Sequence, residues 1–139
     1  MIIGIYSRIL DEKESVLFTQ IEEGLRFMLI NGYTGCKLYQ EKVPNEFTDI
    51  SERIVLNQLT YDIQMGNINA VYVNDIKLFS TITVKILQVI IALQELGTCI
   101  HHSGGCFYTD KQNIKFMKKQ FEENWKRINE ISKGIDFGG

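Results

Sequence analysis

Proline is nearly absent from this chain: there is one, Pro44, in 139 residues. So few helix breakers exclude a proline-rich linker and leave each helix to its own capping signals. Cysteine is scarce and odd in number, with only Cys36, Cys99 and Cys106, which excludes a fully paired disulfide scaffold. The start carries no charged n-region, apolar core and small-residue cleavage pattern, so the expectation is a cytoplasmic protein with reduced thiols. No long hydrophobic run exists either. The most apolar stretch, Val84 to Leu96, is broken by Lys85, Gln88, Gln94 and Glu95 and is too short to span a bilayer, so no membrane partner is expected. Nor does one sign of charge dominate, because the net charge is -2.

What is present suffices for one compact domain: 45% of the residues are hydrophobic and 23% charged. The charge is unevenly spread. Lys111 to Lys133 holds Lys111, Lys115, Lys118, Lys119, Lys126, Arg127 and Lys133 against Glu122, Glu123 and Glu130, a net +4 that leaves -6 for the rest. A basic helix behind an acidic globule is one footprint of nucleic-acid contact, and a solvated helix face gives the same pattern.

Ile2 to Tyr6 is a short β-branched run of the kind buried on both faces of a parallel sheet. After a polar stretch from Asp11 to Ser15, the apolar residues between Val16 and Leu29 recur at helical spacing, and Asn31-Gly32 supplies the stop. Cys36 to Tyr39 reads as a second strand, followed by a loop from Gln40 to Ile50. Ser51 is placed to cap a helix reaching about Gln64, ended by Gly66-Asn67. Ala70 to Val73 is a strand, Asn74 to Thr81 a mixed stretch at its carboxyl end, and Thr83 to Leu96 a strongly apolar helix stopped by Gly97. Cys99 to His101 is a fourth strand and Ser103 to Tyr108 a loop. A long amphipathic helix runs from about Lys111 to Ser132. Gly4, inside the first strand, marks close packing of a helix over the sheet.

Strands alternating with helices imply βαβ units with right-handed crossovers. The expected fold is therefore α/β, with a four-stranded, mainly parallel sheet flanked by helices and a long C-terminal helix. The expected division is an α/β core over residues 1–110, a basic amphipathic helix over 111–133 and a flexible tail over 134–139, with no helix-turn-helix domain. Function in such sheets gathers at the carboxyl ends of the strands, which selects Tyr6 to Leu10, Asn74 to Thr81 and His101 to Cys106.

The first of these stretches, Tyr6-Ser7-Arg8-Ile9-Leu10, opens a series of matches. Gln20 lies in the first helix and Asn31-Gly32-Tyr33 at its end. Arg53-Ile54-Val55-Leu56-Asn57-Gln58-Leu59 and Asp62-Ile63-Gln64-Met65-Gly66-Asn67-Ile68 follow in order. Together these resemble the catalytic domain of the serine recombinases, the resolvase and invertase family, over nearly the whole chain. The family pattern is Tyr-x-Arg-x-Ser on the first strand, Arg-Pro-x-Leu-x-x-Leu after a mobile loop, and Asp-Arg-Leu-x-Arg beyond a later strand. The resemblance implies DNA strand cleavage and rejoining through a phosphoserine link.

The departures fall on the chemistry. Leu10 stands at the nucleophile position and has no nucleophilic atom. Ile76-Lys77-Leu78-Phe79-Ser80 stands where the family has Asp-Arg-Leu-x-Arg, so the acid and the second arginine are gone and Lys77 replaces the first. Loss of one charge-stabilising group typically costs on the order of 100-fold in rate, and lysine lacks the guanidinium fork. Ser7 points to the opposite face of the strand from Tyr6, Arg8 and Leu10, and Ser15 or Ser80 would need a refolded loop to substitute.

The resemblance therefore implies a catalytically inactive recombinase-like protein that contributes to DNA recombination by assembling with itself or with an active recombinase. The alternatives are a DNA-binding regulatory module and an active recombinase of altered mechanism. Expected phosphate contacts are Arg8, Arg53, Lys118, Lys119, Lys126 and Arg127. Met117, Phe121, Trp125 and Ile128 are expected to form an oligomer-making stripe on the last helix. Cys99, His101, His102 and Cys106 are metal-capable types at a strand end, but their spacing is not that of a zinc site, so half-buried Cys99 beside exposed histidines is the expectation. Gly104-Gly105 lacks the partners of a phosphate loop. No metal or cofactor is expected.

Overall fold

The computed structural model of the chain describes residues 1–10, 14–43, 53–80 and 82–134. Its strands are β1 (Ile2–Leu10), β2 (Gly35–Val43), β3 (Ala70–Val73), β4 (Cys99–His102) and β5 (Gly105–Phe107). Its helices are α1 (Glu14–Ile30), α2 (Ile54–Gln64), α3 (Thr83–Glu95) and α4 (Lys111–Gly134). The sheet order is β2-β1-β3-β4-β5, parallel except where β5 runs antiparallel to β4.

The α/β class, the mainly parallel sheet and the long last helix match the sequence expectation, with one strand more than the four expected. Ser103-Gly104 is a two-residue turn rather than the start of a loop, and His102 pairs with Gly105. Gly105 takes φ +149° there, a backbone state glycine reaches without a side-chain penalty.

Other boundaries differ as well: β1 runs on past Tyr6 to Leu10, and α1 begins at Glu14, inside the expected polar stretch. β2 continues through Gln40, Glu41 and Lys42 to Val43, pairing with β1 throughout; the ladder holds a stretch whose polarity reads as loop. α2 begins at Ile54, and its N-cap Arg53 makes no side-chain cap hydrogen bond. The expected cap Ser51 lies outside the described residues, as do residues 44–50 of the expected loop and 135–139 of the expected tail, whose first residue, Gly134, instead ends α4.

The predicted stops of α2 and α3 hold in detail. After α2, Gly66 N–H donates to Ile63 O and Asn67 N–H to Asp62 O; after α3, Gly97 and Thr98 repeat the pattern on Gln94 and Leu93. Each pair closes the last turn by satisfying carbonyls the helix leaves open.

Alternation along the strands builds two cores. Tyr6, Val71, Val73 and Ile100 face Leu56, Leu59, Ile90 and Leu93 of α2 and α3. Ile3, Ile5, Ala70 and Tyr72 face Leu25, Phe27 and Met28 of α1. Leu59, Ile90 and Leu93 are essentially fully buried, each contributing about 1.5–3 kcal/mol. Gly4 is indeed a close-packing position: a Cβ there would sit 2.8 Å from Ile68 and 3.2 Å from Leu59. Gly24 does the same for α1, where a Cβ would meet Ile5 at 2.5 Å.

The root of α4 is fixed by polar contacts. Asp110 caps it by accepting from Asn113 N–H at 2.9 Å. From α3, Gln94 Nε2 donates to Tyr108 O at 2.8 Å and to Asn113 Oδ1 at 2.7 Å. Met117 is buried in the core, while Trp125 and Ile128 further along are exposed. Among the described residues, no helix is long and apolar enough to cross a membrane.

Candidate functional site

On β2 the buried positions alternate as Tyr39, Glu41 and Val43. The middle one places a carboxylate in the protein interior, which is costly without partners. Glu41 has three. Its Oε1 accepts from the Tyr6 hydroxyl at 2.5 Å and from Arg53 Nε at 3.0 Å, and its Oε2 accepts from Val55 N–H at 2.9 Å. Val55 is in the first turn of α2, where backbone N–H groups lack partners within the helix.

Arg53 is 1% exposed. Besides Glu41, its Nη1 donates to Phe79 O, and its Nη2 donates to the Tyr6 hydroxyl and to Leu78 O. One side chain thus ties β1, β2, the start of α2 and the turn after β3. Burial pushes the Tyr6 hydroxyl well above its ordinary pKa, the Arg53 charge opposing and the Glu41 charge reinforcing the rise. Tyr6 therefore stays a phenol, accepting from arginine and donating to glutamate. Its ring stacks on Phe79 at 5.6 Å.

The structure brings together Tyr6 and Arg53 of the predicted set. The guanidinium of Arg53, an expected phosphate contact, is enclosed and bonded to protein acceptors. Arg8 is half-buried and opposite Glu41 in the β1–β2 register. Its backbone is held by Gln20, whose Oε1 accepts from Arg8 N–H at 2.9 Å and whose Nε2 donates to Arg8 O at 3.0 Å. β3 pairs with β1 only as far as Tyr6, so the glutamine amide replaces the missing strand. Leu10 closes β1 opposite Val43.

Ser7 is buried and donates to Tyr39 O at 3.4 Å. Ile76 and Lys77 belong to a 3-10 turn (Ile76–Leu78), with Ile76 partly buried and Lys77 exposed. Asp75 caps this turn by accepting from Lys77 N–H at 2.9 Å. Ser80 is buried, its Oγ accepting from Ile82 N–H at 3.1 Å.

On α4, Lys118, Lys119, Lys126 and Arg127 are exposed, and Lys118 pairs with Glu95 at 2.7 Å. The four residues of the expected oligomer stripe divide into two pairs. Met117 and Phe121 pack on the domain's own core, because the first half of α4 lies along α3, leaving Trp125 at 51% and Ile128 at 41% exposure.

Sequence reasoning passed over Glu41 and the role of Asp62. Asp62, buried on α2, accepts from Lys37 Nζ and the Tyr39 hydroxyl, each at 2.6 Å, and from Asn67 Nδ2 at 3.1 Å. These hydrogen bonds, Lys37 first, hold its carboxyl far below the usual aspartate range. In both cases the signal was an acid on the apolar side of its element.

Both histidines are half-buried rather than exposed: the His101 ring lies 4.7 Å from Phe27, and His102 lies 5.0 Å from Phe107. Burial pushes the Cys106 thiol up to about 11, helped by neighbouring Cys99. Among the described residues, no three His, Cys, Asp or Glu side chains converge as a metal site.

No protein-family model matches the chain, and no curated protein matches it by sequence. Solved structures do match. A resolvase family site-specific recombinase from Streptococcus pneumoniae superposes with a TM-score of 0.75 at 17% identity, over 96% of this chain and 94% of that one. The N-terminal catalytic domain of TP901-1 integrase gives 0.70 at 14% identity, over 99% and 100%. The C-terminal catalytic domain of ISC1926 TnpA, an IS607-like serine recombinase, gives 0.65 at 12% identity, over 84% and 77%. The chain has the fold of the serine recombinase catalytic domain.

Proposed function

We propose that this chain is a recombinase-like domain that no longer cuts DNA and acts in the cytoplasm by assembling with itself or with an active recombinase. The observation that carries this reading is the pairing of Leu10, at the position of the family's nucleophile, with an Arg53 bonded to Glu41, Tyr6, Leu78 and Phe79. A phosphodiester would find leucine at the nucleophile position and an Arg53 guanidinium already bonded within the protein. Among the described side chains, Ser7 is buried on the strand's other face, and the buried Ser80 Oγ accepts from Ile82 N–H.

Assembly is supported by the exposed Trp125 and Ile128 on α4, since large apolar side chains in a row usually meet a partner. Incubation with supercoiled plasmid should yield no covalent protein–DNA adduct, and sedimentation should show a dimer or larger. Adducts would overturn the loss of cleavage, and a monodisperse monomer that also ignores an active recombinase would overturn assembly.

A second reading, DNA contact without cleavage, is favoured by the exposure of Lys119, Lys126 and Arg127 on α4. It is compatible with assembly, because the basic residues and the apolar pair alternate along one helix.

A further inference from the structure

Three donors converge on Glu41: Arg53 Nε, the Tyr6 hydroxyl and Val55 N–H at the start of the 11-residue helix α2. They come from three separate positions and all point inward. All three donate to the Glu41 carboxylate, the Tyr6 hydroxyl itself accepting from Arg53 Nη2, so the group that occupies this position is an acceptor. A helix N-terminus joined to a guanidinium is the arrangement that binds phosphate and carboxylate groups. Here the ligand is a side chain of the same protein, 3% exposed.

We infer that Glu41 is the built-in occupant of an oxyanion cradle formed by Arg53, Tyr6 and Val55 N–H, a site that takes a free carboxylate or phosphate once that side chain is removed. The inference rests on the proposed function in one respect only, its reading of the pocket as a phosphodiester site that no longer cuts. It changes the meaning of the buried ion pair. Glu41 and Arg53 are then a ligand and its receptor, and the pocket is closed because it is already filled.

The test is chemical rescue of the whole chain. Glu41→Ala leaves the three donors and empties the space of the carboxylate and its stem. Glu41→Gln fills the space but turns either an amide N–H or a weaker acceptor toward the donors. Thermal unfolding is followed in formate, acetate and inorganic phosphate against chloride at equal ionic strength. Glu41→Ala should gain about 5 °C in Tm at oxyanion concentrations about tenfold above the dissociation constant. Wild type, Glu41→Gln and the double variant Glu41→Ala/Arg53→Gln should show only the smaller general effect of the salt. Should Glu41→Ala not fold in chloride, recovery of folded protein in oxyanion is the measure.

Equal curves for Glu41→Ala in oxyanion and chloride, or a gain that survives Arg53→Gln, would overturn the inference. A duplex oligonucleotide at matched phosphate concentration separates sources: protection of Glu41→Ala by duplex that is lost in Glu41→Ala/Arg53→Gln identifies a backbone phosphate as ligand, and protection by free ions alone identifies a small-ion site. Adducts with plasmid would sink the proposed function without touching the rescue result. A flat rescue curve would sink the cradle without touching the absence of adducts.

Discussion

The interior cation of this protein and the cations of its last helix carry the same charge in opposite circumstances. Arg53 is enclosed, with a carboxylate, a phenol and two carbonyls as partners. Lys119, Lys126 and Arg127 stand on the exposed face of α4. The first arrangement contributes to folding and is little affected by salt, because a buried pair is poorly screened. The second contributes little to folding and is available to an external polyanion. The two sets of positive charge therefore differ in availability, and it is the partners of each charge that decide it.

The sharpest way to break this contrast is to remove the interior cation. Arg53→Ala leaves Glu41 buried without its charge partner and should destabilise the protein by about 3–5 kcal/mol, read from urea unfolding. A loss under about 1 kcal/mol would mean that the pocket relaxes to admit water and that Arg53 is less enclosed than described.

The helix side is tested by replacing Lys119, Lys126 and Arg127 with glutamine. Duplex affinity at low salt should fall, and the slope of log affinity against log salt should flatten by about 0.9 for each phosphate no longer neutralised, with stability nearly unchanged. Lys118→Gln should do less, since that residue already pairs with Glu95. Unchanged slopes would remove α4 from DNA binding and leave its basic residues as a solvated face.

The smallest effect concerns Asp62, a second enclosed charge. Its carboxyl is held below its ordinary pKa by Lys37 and Tyr39, so its contribution is complete above about pH 4 and is lost as pH falls through the lower, folded-state value. Asp62→Asn should lower stability at neutral pH and make the acid limb of a pH–stability curve shallower. An unaltered acid limb would assign that slope to other carboxylates.

Much of the fold was legible because its signals are local. The run from Ile2 and the glycines after α2 and α3 each declare an element or its end within a few residues. β5 was not legible, since three residues after a two-residue turn carry too little pattern. The second half of β2 was missed because Gln40-Glu41-Lys42 is polar, and only pairing with β1 makes it a strand.

The site divides in the same way. Tyr6, Arg8 and Leu10 are readable from one strand. The enclosure of Arg53 depends on Glu41, Leu78 and Phe79, brought together only by the fold. The burial of Met117 likewise follows from where α4 lies on α3.

Gln20 holds Arg8 by a side-chain amide where β3 has already ended. A peptide ladder is blind to sequence and changes only when a strand changes length. A glutamine can be altered by a single codon, so the last residues of β1 are attached to α1 by a heritable, adjustable fastening. The strand end that leads to Leu10 is thus held by β2 on one side and, through Gln20, by α1 on the other.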